Sequence, residues 1–219
     1  MRPLKFLHPR LRQALAWRRK RNFTYIYDTN YWSDPESRSG PGSRRDSGSV
    51  RHVLDVLATV TERYAIRTIA DIPCGDFNWI GAYLEAWPEV DYVGFDIVDE
   101  LIKRNRENHP GRRFALLDIV TAIPPRSDLI LCKDLINHLE TGEIIEAIAN
   151  MRRSGSKYLL ATNNFGYPNS KLFRSRFNAS RHVDITTAPF HYPAPLWHDH
   201  YLGLWQLADL ERPSGRAAL

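Results

Sequence analysis

Cysteine and methionine are scarce in this chain of 219 residues, which holds two of each. Two thiols, Cys74 and Cys132, cannot build the disulfide framework of a small secreted domain, and their spacing offers no metal motif. Long apolar runs are missing as well: no stretch approaches the roughly 18–20 residues needed to cross a bilayer. The N-terminus has cations but no clean apolar core followed by a small-residue cleavage site, so the sequence predicts no secretory signal and a cytoplasmic protein. Acids are absent from residues 1–22, which carry eight of the 30 basic residues. The formal charge of +5 therefore belongs to an N-terminal arm, and the rest of the chain is slightly acidic. A nucleic-acid binder wants a basic face across its fold, so that class is disfavoured.

What is present is a chain long enough for one sizeable core, with 43% hydrophobic residues. Residues 4–20 read as a helix with Leu4, Leu7, Leu11, Ala14, Leu15 and Trp17 near one face. Such an arm docks on the body, lies on an anionic membrane, or mediates dimer contacts. The aromatic run FTYIYDTNYW and the Ser/Gly/Pro-rich SDPESRSGPGSRRDSGS follow, and are read as non-helical. So many aromatics favour a lid over a site rather than a linker. From residue 49 the pattern turns regular. An amphipathic helix carries Val50, Val53, Leu54, Leu57 and Val60 on one face, with Ser47 or Ser49 as cap. Strands are expected at Thr68–Asp71, Tyr92–Asp96, RRFALLD, DLILC, KYLLATN and LGLWQL. Helices are expected at about Phe77–Trp87, Val98–Asn108 and Thr141–Arg153, the last capped by Thr141. Alternating strands and helices predict an α/β fold with a parallel sheet wound on both faces. The division is 1–48 for the arm and lid, and 49–219 for the catalytic domain.

The run RTIADIPCGDFNWI sets an acid, Asp71, at a strand tip and glycine in the following turn. Twenty-one residues after Gly75, Asp96 ends the second strand, where a carboxylate would meet a ribose. Asp118 and Cys132-Lys133-Asp134 end the next two strands. Acidic tips and few cations disfavour a pyrophosphate, and Pro73 and Phe77 stand where a dinucleotide turn would place glycines. Each acid taken alone reads equally well as a helix or turn cap; three in register point to a cofactor with ribose, adenine and a positive centre.

DIPCGDFNW, YVGFDIVDELI, FALLDI, DLILCKDLINHL and YLLATNNF together resemble the motifs of class I S-adenosylmethionine-dependent methyltransferases, over about residues 30–207. The resemblance implies a Rossmann-like, doubly wound, mostly parallel seven-stranded sheet with an antiparallel C-terminal strand. It implies S-adenosyl-L-methionine as cofactor and S-adenosyl-L-homocysteine as product. Asp71, Cys74, Gly75 and Asp76 would line the methionine part, Asp96 would bind the ribose with Ile97 against adenine, and Asp118 and Ile119 would sit at the adenine. Lys133 would meet the methionine moiety through its backbone, and Arg38, Ser39, Gly40 and Ser43 would hold its carboxylate. The YW…ESRSGPGS and PAPLW…LGLW segments resemble a subgroup acting on sugar or glycan hydroxyls, which implies O-methylation of a sugar, oligosaccharide or glycan precursor.

For a hydroxyl acceptor a base is needed. His138 is the candidate base, with Asp134 four residues earlier orienting either it or the substrate, on the expectation that KDLINHL begins a helix; alternatively His138 packs or caps. Tyr31, Trp32, Asn164, His191 and His198 are expected substrate contacts, the alternative being a crossover packed by its own aromatics. No metal site is assigned; Asp134 with His138 leaves a divalent cation such as magnesium open. The competing readings are N- or O-methylation of a natural product or peptide, and a non-catalytic S-adenosylmethionine-binding module. A homodimer is the default assembly.

Overall fold

A computed structural model describes residues 8–169 and 180–211. Short apolar runs form the strands β1 (Thr68–Asp71), β2 (Asp91–Asp96), β3 (Arg113–Leu116), β4 (Leu129–Cys132), β5 (Tyr158–Thr162), β6 (Trp197–His198) and β7 (Leu202–Gln206), ordered β3-β2-β1-β4-β5-β7-β6. The first five run parallel, and β7 is antiparallel to both β5 and β6. This matches the expected seven-stranded sheet; the two-residue β6 is the strand that no periodicity announces.

Successive side chains of a strand face opposite sides, and the core divides accordingly. Ile69, Leu129, Leu131 and Leu160 pack on one face, with α2 (Gly48–Arg63), α3 (Ile80–Ala86) and α4 (Asp99–Asn108). Ala70, Ile130, Cys132 and Leu159 pack on the other, with α5 (Thr141–Arg153) and the segment around Val183–Tyr192. Helix α2 inserts Val50, Val53, Leu57 and Val60 into the first half, and Ser47 caps it by accepting from the Val50 N–H at 3.1 Å. Such a cap contributes about 1 kcal/mol. Cys74 and Cys132 are both free and buried.

Several expectations are corrected. The N-terminal helix, α1 (Pro9–Asp28), continues through Phe23–Asp28, which had been read as loop. Its buried face is Arg19, Asn22, Ile26 and Tyr27, while Leu11 and Trp17 are exposed. Leu4 and Leu7 lie outside the described residues. Helix α3 starts at Ile80, not Phe77, because Phe77 takes the left-handed φ of 55° and turns its ring into Tyr92, His109 and Phe114. Burial in that aromatic cluster offsets a backbone strain of about 1–2 kcal/mol. The cap of α5 is Glu140, in a reciprocal capping box with Glu143, not Thr141.

Candidate active site

The strand order reverses between β1 and β4, and the carboxyl ends of the strands open there into a cleft of about 1070 Å³ including its mouth. Ligands of doubly wound sheets bind at such switch points. The turn after β1 is stitched to both neighbours: Ile72 N–H donates to Leu131 O and Cys74 N–H to Phe95 O, each at 2.8 Å. Gly75 has φ 52°, and a Cβ there would come within 2.4 Å of Ser39 Oγ, so the loop 29–47 can close on the turn only over glycine.

Asp71 is 1% exposed. Its Oδ2 accepts from the Tyr92 hydroxyl at 2.8 Å, while Oδ1 has no partner. Burial pushes its carboxyl up to about 7, against the pull of Tyr92 and Lys133. Asp96 accepts from the N–H groups of Gly75 (3.3 Å) and Val98 (3.1 Å), and burial pushes it up to about 6 despite them. Asp76 anchors the loop: it accepts from Ser37 Oγ at 3.0 Å, Arg38 N–H at 2.8 Å and Ser39 Oγ at 3.2 Å. The loop is otherwise held by Asp34 and Glu36, which accept backbone N–H groups, and by Asn78 Nδ2 donating to Ser43 O. The Arg38 guanidinium lies over the Tyr27 ring and donates to Tyr27 O.

Past β4, KDLINHL forms no α-helix. Asp134 is left-handed, φ 53°, and Ile136–His138 is a single 3-10 turn, so the expected helical pairing of Asp134 with His138 is corrected. Asp is among the residues that tolerate this conformation, and here it turns the carboxylate into a network. Asp134 accepts from the Tyr201 hydroxyl at 2.9 Å, the Thr162 hydroxyl at 3.3 Å and Lys133 Nζ at 2.5 Å. Lys133 Nζ also donates to Gly42 O at 2.9 Å, tying the loop to the tip of β4. The His138 ring sits 5.8 Å from that of Trp32 and 6.4 Å from that of Phe23.

Of the sequence-derived residues, Arg38, Ser39, Ser43, Cys74, Gly75, Asp76, Asp96, Ile97, Asp118, Ile119, Lys133, Asp134, His138 and Trp32 share the cleft wall. Asp71 stands behind it, and Gly40, with φ 96°, packs against the Trp32 ring. Tyr31, Asn164, His191 and His198 are not brought to the wall. Asn164 Oδ1 accepts from Val183 N–H, His198 stacks on Phe165 at 4.2 Å, and His191 is exposed. The loop after β5 is thus packed by its own aromatics and by Asp184, which accepts from Asn163, Gly166 and Thr186. Sequence reasoning missed Ser37, Arg19, Phe23, Ile26, Tyr27 and Trp79. Phe23, Ile26 and Tyr27 lie in the aromatic run, and Ser37 in the Ser/Gly run, that the sequence suggests as a lid; Arg19 and Trp79 carried no signal. Among the described residues no group of three or more His, Cys, Asp or Glu could hold a metal, and no helix is long and apolar enough to cross a membrane.

No family model matches the chain. It is similar to the trans-aconitate 2-methyltransferase of Azoarcus sp. (strain BH72), at 25% identity over 167 residues, 71% of this chain and 66% of that protein. The enzyme of the same name from Afipia carboxidovorans is 30% identical over 86 residues, 39% of this chain and 33% of its own length. The chain therefore spans between a third and two thirds of these curated relatives. Among solved structures it resembles the PH0226 protein of Pyrococcus horikoshii OT3, with TM-score 0.55, 19% identity, and 77% and 96% of the two chains covered. It also resembles N,N-8-amino-8-demethyl-D-riboflavin dimethyltransferase from Streptomyces davawensis, with TM-score 0.53, 11% identity, and 71% and 53% covered. Taken with the strand order, these likenesses identify the architecture as the Rossmann-like methyltransferase fold.

Proposed function

We propose that this chain is an S-adenosylmethionine-dependent O-methyltransferase of a small-molecule acceptor, in its narrower form a sugar or oligosaccharide hydroxyl. The observation that carries the reading is the convergence of Asp96, Asp118, Asp134 and His138 on one cleft whose remaining wall is largely apolar. The donor set fits the cofactor. Asp71 keeps an orphaned buried oxygen behind the β1 turn, as a carboxylate awaiting a cationic neighbour would. Asp96 is held by backbone donors with acceptor capacity left for ribose hydroxyls, and Ile97 and Ile119 offer apolar surface for adenine.

When bound, S-adenosylmethionine would supply an electrophilic methyl group on a cationic sulfur. The cleft would serve to bring acceptor and methyl group together, a positioning effect that can contribute roughly 7–11 kcal/mol. His138 would take the acceptor's hydroxyl proton on an imidazole nitrogen, while the carbon–sulfur bond's electron pair would leave on sulfur as the neutral thioether. Asp134, anchored by Lys133, Thr162 and Tyr201, provides the negative charge that stabilises the protonated ring. Trp32, beside His138, offers an aromatic face for the apolar side of a sugar. A carboxylate acceptor is the second reading, favoured by Arg38 and Lys133 on the same wall and in keeping with the names of the relatives; it needs no base. Residues 8–48 act as the closing half of the cleft. The exposed Arg10, Leu11, Arg12 and Trp17 of α1 suit a peripheral contact with an anionic surface.

Titration calorimetry with S-adenosylhomocysteine tests the reading, on wild type and Asp96→Ala with NAD as control. Micromolar binding that Asp96→Ala weakens is expected, followed by methylated product when sugars and then carboxylic acids are screened. Equal binding of NAD, or none of S-adenosylhomocysteine, would sink it. Binding without product for any acceptor would favour the non-catalytic module.

A further inference from the structure

We infer that Arg19, on the N-terminal helix, is a positioning residue that aims Asp118 at the exocyclic amino group of adenine and so sets the base specificity of the cofactor site. The inference rests on the S-adenosylmethionine reading above.

Asp118 ends the stretch after β3 and lines the cleft. Its carboxylate is engaged from a residue 99 positions earlier. Arg19 Nε donates to Oδ1 at 3.1 Å and Nη2 donates to Oδ2, while the Val120 N–H donates to Oδ1 at 3.1 Å. A carboxylate offers about four acceptor positions. Both on Oδ1 are filled, so the one left open is on Oδ2. Arg19 is itself 3% exposed, and its third contact is Nη1 to Glu143 Oε1 at 2.6 Å. Glu143 in turn holds the Glu140 N–H with its other oxygen, at 3.0 Å, closing the capping box of α5. The guanidinium is therefore wedged between the end of β3 and the start of α5. A planar fork bound at both edges fixes the plane of the carboxylate it grips, which a lysine ammonium cannot do.

The consequence is chemical selection. One lone pair in a fixed direction accepts an amino group; an oxo group in the same place presents lone pair to lone pair. The open position on Asp118 thus accepts adenine and rejects hypoxanthine, and the discrimination depends on a side chain that acts through Asp118.

The test compares S-adenosylhomocysteine with S-inosylhomocysteine by calorimetry on the full chain. Wild type should prefer the adenine form by about tenfold or more, the loss expected for one hydrogen bond to a charged group. Arg19→Lys and Arg19→Gln should bring the two affinities to within about threefold of each other. Arg18→Gln should keep the wild-type ratio, since Arg18 fastens the same helix through Glu140 without touching Asp118. Asp118→Asn, which presents an amide donor, should move the preference toward the oxo base. An unchanged ratio in both Arg19 variants overturns the proposal even when both affinities fall, because a merely structural role lowers them together. Should Arg19→Gln lose its cooperative melting transition, Arg19→Lys decides alone. Equal wild-type affinities overturn the Arg19 proposal and leave the cofactor reading standing; no wild-type binding of either ligand overturns both.

Discussion

Three carboxyls at and behind the cleft are shifted in opposite directions by their surroundings. Burial would raise the Asp134 carboxyl, but the Lys133 ammonium and the Tyr201 hydroxyl overcome it and hold it below the usual range. An acid kept ionised in this way is a poor proton acceptor, which is why the proposed mechanism gives the base role to His138. His138→Ala should lower kcat by about 10²- to 10⁴-fold on a hydroxyl acceptor while leaving S-adenosylhomocysteine affinity unchanged; unaltered turnover removes His138 from the mechanism. Asp71 and Asp96 lack such cations at bonding distance, so burial wins and their carboxyls rise to about 7 and about 6. A carboxyl raised on folding costs stability once it would be ionised in the unfolded chain, so the ligand-free protein should lose stability as pH climbs from about 4 to about 7. The same ionisation favours a ligand bearing an ammonium and ribose hydroxyls. S-adenosylhomocysteine should therefore bind more tightly, and raise the melting temperature more, as pH goes from 5 to 8. Asp71→Asn should flatten the upper part of that profile, and a flat wild-type profile would contradict the assignment.

Elements differ in how openly the sequence states them. Helix α2 is written in its spacing: Val50, Val53, Leu57 and Val60 recur on one face, and all are buried. Leu57→Ala should cost about 2–5 kcal/mol, seen in urea as a lower midpoint with an unchanged slope. Strands β1, β2, β4 and β5 were legible as short apolar runs ending in acids or turn residues, and with them the strand-tip residues that line the cleft. Helix α1 was misplaced for a physical reason. Its buried stripe contains Arg19 and Asn22, which periodicity counts as solvent-facing, while its visible apolar residues, Leu11 and Trp17, face outward. The turn at Asp134 was misread because helical spacing assumes right-handed backbone, and φ 53° breaks that assumption at the first residue. The expected contacts Asn164 and His198 are engaged within their own loop and His191 is exposed, because amides and histidines in a loop serve its internal packing as readily as a ligand.

Across the whole molecule, the split between a basic arm and a slightly acidic body becomes an attachment. Arg18 pairs with Glu140, Arg19 with Asp118 and Glu143, and Lys20 with Asp99. The arm's excess charge is thus partly neutralised on the protein's own surface, across contacts that join the first described helix to the ends of β3 and the starts of α4 and α5. The exposed pairs among them contribute little, about 0–1 kcal/mol each, and Arg19 carries the specificity of the docking.

The two buried thiols turn the molecule into its own recorder. Burial raises both well above the ordinary thiol range. An alkylating reagent must wait for the structure to part. Cys74 lines the cleft and Cys132 lies beneath it in the sheet, so the two clocks run at different depths. Cys74 should be modified first and Cys132 only at the rate of global opening. A ligand seated on the β1 turn should slow the first clock far more than the second.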